Sequence, residues 1–245
     1  MSDSVVIVVG QGEIGKPLQT ILSRAYHCIG IDIDPVEVAA SCSTMHICYP
    51  YQIPDFVGTT VTYIRKYKPE LTIINSTVVP GTTRRVFEDS GAKLAYSPAR
   101  GKHVRMEEDL LRYKKFVAGI DDISSTRAVE HLAAAGFRTD RFRTPEIGEL
   151  AKLVETTWLG ILIGWAQEVE RFGESYGASF EEVNAFIQEV DFLPSHIFPG
   201  WIGGHCVMPN IELLQERVQS QFLDAVVRSN AKKEQALLNS LAKVG

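Results

Sequence analysis

The most constraining feature of the sequence is a glycine-rich turn that directly follows an apolar strand. Gly10, Gly12 and Gly15 fit the pattern GxGxxG, and they come after the β-branched run VVIVV at residues 5–9. In this context the first glycine permits a tight turn, the second lets a diphosphate approach the backbone, and the third allows close packing of helix on strand. Free N–H groups at the start of the next helix favour an anion. The pattern predicts a dinucleotide-binding turn.

A carboxylate at the end of the second predicted strand favours NAD over NADP. Asp32 follows Gly10 by 22 residues. A carboxylate at this position binds ribose hydroxyls and repels a 2′-phosphate. With Glu13 and Ile14 of the turn, Asp32 forms the first part of the predicted cofactor site. The alternative is a glycine-rich turn in an α/β protein that binds nothing.

Short apolar strands alternate with helical segments up to about residue 142. Strands are expected at residues 5–9, 28–33, 46–48, 71–75, 93–96 and 115–119, with helices that include residues 16–25 and 121–135. Strands that are apolar throughout and alternate with helices are typical of a parallel sheet covered on both faces. Residues 1–144 are therefore predicted to form a Rossmann-type α/β domain that binds NAD.

After Pro145 the pattern becomes helical. Apolar side chains recur at steps of three and four over residues 146–177, and two further helices are expected at residues 180–190 and about 211–242. Residues 145–245 are predicted to form an all-helical central domain with a long helix.

The helix predicted over residues 146–177 has a wide apolar face. A face of this width predicts burial against more than one neighbour. We expect Trp158 and Trp165, seven residues apart on this helix, to lie in the core.

Composition limits the class of partner. Lys and Arg total 25 against 30 Asp and Glu, which gives a net charge of −5 and argues against a nucleic-acid partner. Four cysteines in 245 residues are too few for a disulfide scaffold, and their spacings match no metal-ligand pattern. The apolar runs are shorter than the roughly 20 residues that span a bilayer, and the N-terminus lacks the basic region of a signal peptide. We expect a cytoplasmic protein with a small-molecule partner and no metal, nucleic acid or membrane.

Together with the glycine turn, three segments resemble the UDP-glucose/GDP-mannose dehydrogenase family. They are residues 75–83 (NSTVVPGTT), 149–153 (ELAKL) and 203–206 (GGHC), in the family's order and at compatible spacings. The resemblance covers essentially the whole chain. It implies NAD-dependent oxidation of a primary alcohol to an acid in two hydride transfers. A cysteine captures the aldehyde as a thiohemiacetal, and the resulting thioester is hydrolysed by water.

The resemblance also implies roles for individual residues. Cys206 resembles the nucleophile, Lys152 the cation that steadies the oxyanion, and Thr77 the threonine that holds the active-site water. A thiolate is a good nucleophile, and a nearby ammonium stabilises a developing negative oxygen. The residues assigned to the cofactor beyond the glycine turn and Asp32 are Tyr49, Pro50, Ser76 and Thr77.

Both catalytic candidates have structural alternatives. Lys152 lies three residues after Glu149, the spacing of an ordinary helix ion pair. Cys206 is a free cysteine of the kind that often serves as a small buried hydrophobe.

This chain departs from the family pattern at three positions. Asn210 stands four residues after the cysteine in place of an aspartate, Thr156 four residues after the lysine in place of an asparagine, and Ala99 in place of a glutamate. An amide cannot accept a proton, so general-base activation of water at residue 210 is lost. Thr156 and Asn210 are retained as candidates for substrate binding.

A basic segment follows the predicted fifth strand. Arg100, Lys102 and His103 are assigned to an anion site for a substrate carboxylate or phosphate, which suits guanidinium geometry. The alternative is a solvated loop. The sequence ends at Gly245, near the end of the family's central helix. We therefore expect a short form without the domain that binds the nucleotide part of the substrate, and a smaller substrate or one completed by another chain.

Three functional hypotheses follow. The first is an NAD-dependent dehydrogenase that oxidises a hydroxyl of a small anionic or sugar-like substrate. The second is an epimerase-like enzyme that uses tightly bound NAD transiently, and the third is a catalytically degenerate NAD-binding regulatory protein. Since family members pair through the long central helix, a homodimer through the helix at residues 211–242 is also expected.

Overall fold

The computed structural model describes residues 4–32, 36–191, 193–194 and 196–242. The chain divides into two compact units, residues 1–152 and 153–245. The dividing point lies inside the longest helix, α6 (Pro145–Ser175), which begins at the predicted domain boundary between residues 144 and 145.

The first unit contains a sheet with strand order β2-β1-β3-β4-β5-β6-β7. The strands in the described residues are β1 (Ser4–Val9), β2 (Cys28–Ile31), β3 (Ser41–Ile47), β4 (Leu71–Ile74), β5 (Leu94–Tyr96), β6 (Lys115–Gly119) and β7 (Thr139–Arg141). Neighbouring strands are parallel except for β5 and β6, which pair antiparallel with Ala95 opposite Gly119. The Rossmann-type α/β prediction is confirmed.

Helices cover both faces of this sheet. They are α1 (Gly15–Leu22), α2 (Phe56–Tyr67), α3 (Thr82–Ser90), α4 (Met106–Arg112) and α5 (Asp122–Ala134). Side chains alternate across a strand, so on β1 Val6 and Val8 pack with Leu18 and Leu132. Val5, Ile7 and Val9 join the cluster on the opposite face. Burial on both faces explains why β1 is apolar throughout.

The strand boundaries differ in part from those predicted. Strand β3 begins at Ser41 rather than His46, because its polar first half pairs with β1 through Cys42 and Thr44. Strand β7 was not predicted, since its residues TDR are polar and it lies at the sheet edge.

The second unit is helical. It contains most of α6, followed by α7 (Phe180–Gln188), α8 (Val207–Gln215) and α9 (Gln221–Leu241). The single helix predicted over residues 211–242 is wrong, because the chain breaks after Gln215 and restarts at Gln221. The Ser220 hydroxyl accepts a hydrogen bond from the backbone N–H of Leu223, and such a cap favours a new helix start.

The tryptophans of α6 are not in the core. Trp158 and Trp165 are 55% and 58% exposed, although both were expected to be buried. The buried contacts of α6 in this unit come from other positions, including Ala166 and Val169, which pack with Phe180. In the part of the chain that the structure describes, no helix combines the length and the apolar character of a membrane span.

Candidate functional site

The glycine turn joins β1 to α1 and has the geometry that the motif predicts. Gly10 has φ +93°, and a Cβ there would lie 2.6 Å from the backbone nitrogen of Tyr49. A Cβ at Gly15 would lie 1.7 Å from the Gly10 carbonyl oxygen, whereas a Cβ at Gly12 would meet no atom within 4 Å. Gly10 and Gly15 are thus required by the protein's own packing, whereas Gly12 borders open space.

The turn lies where the strand order reverses. Strand β1 is flanked by β2 on one side and by β3 on the other, and ligands of open α/β sheets bind at the carboxyl ends of strands at such a point. Asp32 follows β2 and is exposed. The Ser76 hydroxyl, after β4, donates to the carbonyl of Tyr49, after β3, at 2.6 Å. The ends of β1, β3 and β4 therefore lie next to one another at one edge of the sheet.

The other residues predicted for the cofactor site are close in sequence to these anchors. Ile14 precedes the first residue of α1 and is partly buried. Thr77 follows Ser76 and is partly buried, whereas Pro50 is exposed.

The glycine turn is bridged to the basic segment. Glu13 Oε2 lies 2.7 Å from His103 Nδ1. The structure thus brings together one residue predicted for the cofactor and one predicted for the substrate.

The cations of the basic segment have separate surroundings. Arg100 donates to the carbonyl of Lys114 at 2.9 Å and its guanidinium lies over the Phe116 ring. Lys102 has an exposed side chain, and its backbone N–H donates to Asp109. The loop geometry is fixed by these bonds, so Arg100 is held by the sheet rather than free in solvent.

A buried lysine next to this loop was missed at the sequence level. Lys115 is the first residue of β6 and is 3% exposed. Its Nζ donates to Asn75 Oδ1 at 2.9 Å, to the Ser97 carbonyl at 2.6 Å and to the Pro98 carbonyl at 3.3 Å. The available signal was a lysine at the start of the otherwise apolar run KFVAG.

Glu149 holds the start of α3. Its carboxylate accepts from the backbone N–H groups of Gly81 and Thr83 at 2.6 and 2.8 Å and from the Thr83 hydroxyl at 2.7 Å. Burial raises the pKa of Glu149, although these three donors oppose the shift. Two of the segments that carry the family resemblance, NSTVVPGTT and ELAKL, are therefore bonded directly to each other.

Lys152 lies near the end of the first unit, three residues after Glu149 on α6. It is partly buried. Burial lowers the pKa of Lys115 to about 7, and the charges of Arg100 and Lys152 act in the same direction. Three cationic side chains of the first unit thus influence one another electrostatically.

Cys206 lies in the second unit, at the N-terminal end of α8. It is partly buried and forms no disulfide with the other described cysteines. The helix start contributes N–H groups that stabilise negative charge. Gly204, two residues earlier, has φ +80°, a backbone conformation that favours glycine.

Two buried amides hold the segment that leads to Cys206. Gln167 Nε2 donates to the Gly200 carbonyl at 2.8 Å and to Asn230 Oδ1 at 3.2 Å. Asn230 exchanges two hydrogen bonds with the backbone of Ile202, at 2.8 and 3.1 Å. Sequence reasoning missed both amides because their helices are about 60 residues apart in the chain.

The two residues that depart from the family pattern in the second unit contact each other. Asn210 is buried, and its Nδ2 donates to Thr156 Oγ1 at 2.9 Å. Neither side chain can take a proton from water at neutral pH. This pair positions hydrogen-bonding groups without providing a general base.

Residues 146–233 match the central domain of the UDP-glucose/GDP-mannose dehydrogenase family. UDP-N-acetyl-D-glucosamine 6-dehydrogenase of Pseudomonas aeruginosa is 25% identical over 90% of this chain and 64% of its own length. UDP-N-acetyl-D-mannosamine dehydrogenase of Methanocaldococcus jannaschii is 23% identical over 82% of this chain and 59% of its length. The chain thus spans less than two thirds of these relatives.

Solved structures share the fold. UDP-D-ManNAc dehydrogenase from Pyrococcus horikoshii superposes with a TM-score of 0.83 at 18% identity, covering 98% of this chain and 72% of that one. 3-Hydroxyisobutyrate dehydrogenase of Mycobacterium tuberculosis superposes with a TM-score of 0.71 at 16% identity, covering 95% and 94% of the two chains.

Proposed function

We propose that this chain, whose residues 146–233 match the central domain of the UDP-glucose/GDP-mannose dehydrogenase family, is an NAD-dependent oxidoreductase acting on a hydroxyl of a small anionic or sugar-like substrate. The observation that carries the proposal is the open glycine turn at the point where the strand order reverses. The same family resemblance was predicted from the motifs.

The residues of the strand ends fit NAD. The open face of Gly12 and the N–H groups at the start of α1 would hold the diphosphate, and Asp32 would hold the adenosine ribose. The nicotinamide half would be lined by the four further residues that the sequence assigns to the cofactor, Tyr49, Pro50, Ser76 and Thr77. When bound, NAD supplies the hydride acceptor.

The first unit would supply the charge that the reaction needs. Oxidation of a hydroxyl develops negative charge on oxygen, and the Lys152 ammonium is the group proposed to stabilise it. Thr77 would hold a water molecule or the substrate hydroxyl. Arg100 would bind the anionic part of the substrate, since its guanidinium is already oriented by the Lys114 carbonyl and Phe116.

The number of oxidation steps depends on the second unit. A two-step reaction needs Cys206 to capture the aldehyde and a base to activate the hydrolytic water. The Asn210–Thr156 pair offers no such base. A single oxidation, which needs neither Cys206 nor a base for hydrolysis, is therefore the second candidate.

Turnover assays separate these candidates. The purified chain is incubated with NAD and a panel of sugar nucleotides, sugar phosphates and hydroxy acids, and NADH and products are measured for wild type and Cys206→Ser. An acid made by wild type but not by Cys206→Ser supports the thioester route. The same product from both variants supports a single oxidation without Cys206.

The same panel tests the two remaining hypotheses. Exchange of substrate hydrogen with solvent, without net NADH, would favour the epimerase-like enzyme. NAD binding without turnover or exchange on any compound would favour the regulatory protein and contradict the oxidoreductase proposal.

We also propose a homodimer, formed through α6 rather than through the helix expected at residues 211–242, which the structure divides into α8 and α9. Trp158, Trp165 and Phe172 recur every seven residues and are each more than half exposed. A heptad repeat places them on one face, and Trp165 contacts Phe172 edge to face. Such an exposed apolar face is typical of an association surface, and the family resemblance implies pairing through a long helix.

Light scattering tests the dimer. Trp165→Glu is expected to convert a dimer to a monomer at micromolar concentration, whereas Phe186→Glu on α7, at an 87% exposed position, should not. A monomeric wild type would contradict the proposal.

The described cysteines form no disulfide, which agrees with the proposed cytoplasmic location.

A further inference from the structure

Lys115 is a buried charge next to the carboxyl ends of β4 and β5. Its three hydrogen-bond acceptors come from two different strand ends, since Asn75 follows β4 and both Ser97 and Pro98 follow β5. An ammonium has three N–H groups, so the number of donors equals the number of acceptors. The side chain acts as a clasp between β4 and β5.

The hydrogen bonds of Lys115 continue through Asn75 to two histidines, and the donor and acceptor of each bond are fixed. The charged form of lysine can only donate, so the Asn75 oxygen faces Lys115 and the amide nitrogen faces His46 Nδ1 at 3.2 Å. His46 therefore carries its proton on Nε2, which lies 2.9 Å from His131 Nε2. His131 in turn stacks on Tyr26. Lys115 thus sets the tautomers of two buried histidines.

This chain of hydrogen bonds does not move protons. A neutral amide does not readily accept one proton and release another, so Asn75 interrupts any transfer between Lys115 and His46. Burial lowers the pKa of His46 well below its usual value and that of His131 to about 4. Both imidazoles are therefore neutral near pH 7, which agrees with a structural role.

The two strand ends joined by Lys115 carry the residues of the proposed site. Ser76 and Thr77 directly follow Asn75, and Arg100 lies two residues after Pro98. A shift of the ends by about 1 Å is enough to reduce the rate of a reaction about 100-fold. The position of Lys115 therefore matters beyond stability.

We propose that Lys115 is a positioning residue of the cofactor site, whose ammonium clasps the ends of β4 and β5 and thereby fixes Ser76, Thr77 and Arg100 for binding. This rests on the proposed binding of NAD. Lys115 is not a catalytic residue, because all three of its N–H groups point to the protein.

Titration of Lys115 makes the clasp sensitive to pH. Its pKa is lowered to about 7, chiefly by burial and to a lesser extent by the charges of Arg100 and Lys152, while Cys48 acts in the opposite direction. Above this pH the neutral amine keeps two N–H groups for three acceptors. NAD affinity is therefore expected to fall as the pH rises through about 7.

The experiment compares Lys115→Met with Lys114→Met in the full chain. Lys114 is the adjacent residue, but its side chain is 53% exposed and paired with Asp140. NAD affinity is measured by calorimetry from about pH 6 to about pH 9, and histidine tautomers are followed by ¹⁵N NMR over the same range. We expect Lys115→Met to bind NAD about tenfold more weakly at about pH 6, with no pH dependence near 7, and to lose the fixed Nε2–H form of His46. Lys114→Met should behave as wild type.

A second variant keeps the test decisive if Lys115→Met does not fold. Asn75→Leu removes the link to His46 and also the bond that joins Lys115 to the end of β4. The histidine signals should therefore change, and NAD affinity should fall and lose its pH dependence near 7, as in Lys115→Met. Unchanged histidine signals and unchanged NAD affinity in Lys115→Met would overturn the inference. A wild type that binds no NAD would contradict the proposed function instead, and the histidine signals would still decide whether Lys115 orders the strand ends.

Discussion

The two units hold their loops in chemically different ways. In the first unit a buried ammonium, Lys115, binds the carbonyls of Ser97 and Pro98. In the second, the buried amides of Gln167 and Asn230 bind the backbone of Gly200 and Ile202. An amide keeps its donors and acceptors at every physiological pH, whereas an ammonium does not. Of these two loops, the one held by Lys115 is therefore the one whose anchor changes as the pH rises through about 7.

The units also differ in where their large side chains lie. The largest fully buried side chains, such as Tyr96 and Ile7, belong to the first unit, whereas Trp158, Trp165 and Phe172 of the second are more than half exposed. The first unit completes its own core. The second exposes an apolar face, which is the face proposed above for a homodimer.

The largest expected effect separates chemistry from positioning. Lys152→Ala should reduce turnover about 1,000-fold, because the cation proposed to stabilise the developing oxyanion is removed. NAD affinity should stay within about twofold of wild type, in contrast to Lys115→Met. Steady-state kinetics and calorimetry check the two values, with Lys114→Ala as the control. Wild-type turnover in Lys152→Ala would remove this lysine from the mechanism.

The next prediction compares the carboxylates that cap helices in the two units. Glu149→Gln should lower the free energy of unfolding by about 2–3 kcal/mol, since one amide oxygen cannot accept from all three buried donors at the start of α3. Glu182→Gln is the matched change in the exposed capping box of α7, and its effect should lie within the error of urea denaturation. Equal effects of the two substitutions would show that burial does not distinguish the caps.

Asn230→Leu tests the amide-held loop directly. It leaves the backbone N–H and carbonyl of Ile202 without their partner, at a cost of about 2 kcal/mol in the free energy of unfolding. Because no amide titrates, the loss should be the same at about pH 6 and about pH 9. Asn239→Leu, on the exposed face of the same helix, is the control. A loss that changed with pH would break the contrast between the two loops.

The smallest expected effect concerns an exposed charge that acts on the ligand. Asp32→Ser should raise the affinity for NADP relative to NAD about tenfold, because the repulsion of a 2′-phosphate is removed. Glu37→Gln, at a 97% exposed side chain nearby in the sequence, should leave the preference unchanged. Calorimetry with both cofactors measures the ratio, and an unaltered ratio in Asp32→Ser would place the ribose elsewhere.

Local patterns predicted most of the first unit. The run VVIVV gave β1 and the glycines gave the turn, because both follow from backbone sterics and from burial on two faces. The antiparallel pairing of β5 with β6 was not predicted, since register and direction depend on which strands meet in space.

The candidate site was predicted by residue type but not by partner. Glu149 was read as a possible ion-pair partner of Lys152, whereas its oxygens accept from Gly81 and Thr83, more than 60 residues away in the chain. The break between α8 and α9 was also missed, because the apolar spacing continues through the turn and only Ser220 marks the new start.

The order of strands and helices, the glycine turn and the family motifs were determined by the sequence itself, since each depends on residues within a few positions of one another. Tertiary structure alone decided that Lys115 lies among backbone carbonyls and that Trp165 faces solvent. Burial and hydrogen-bond partners are set by segments distant in the chain, so the same lysine or tryptophan acquires its role only when those segments meet.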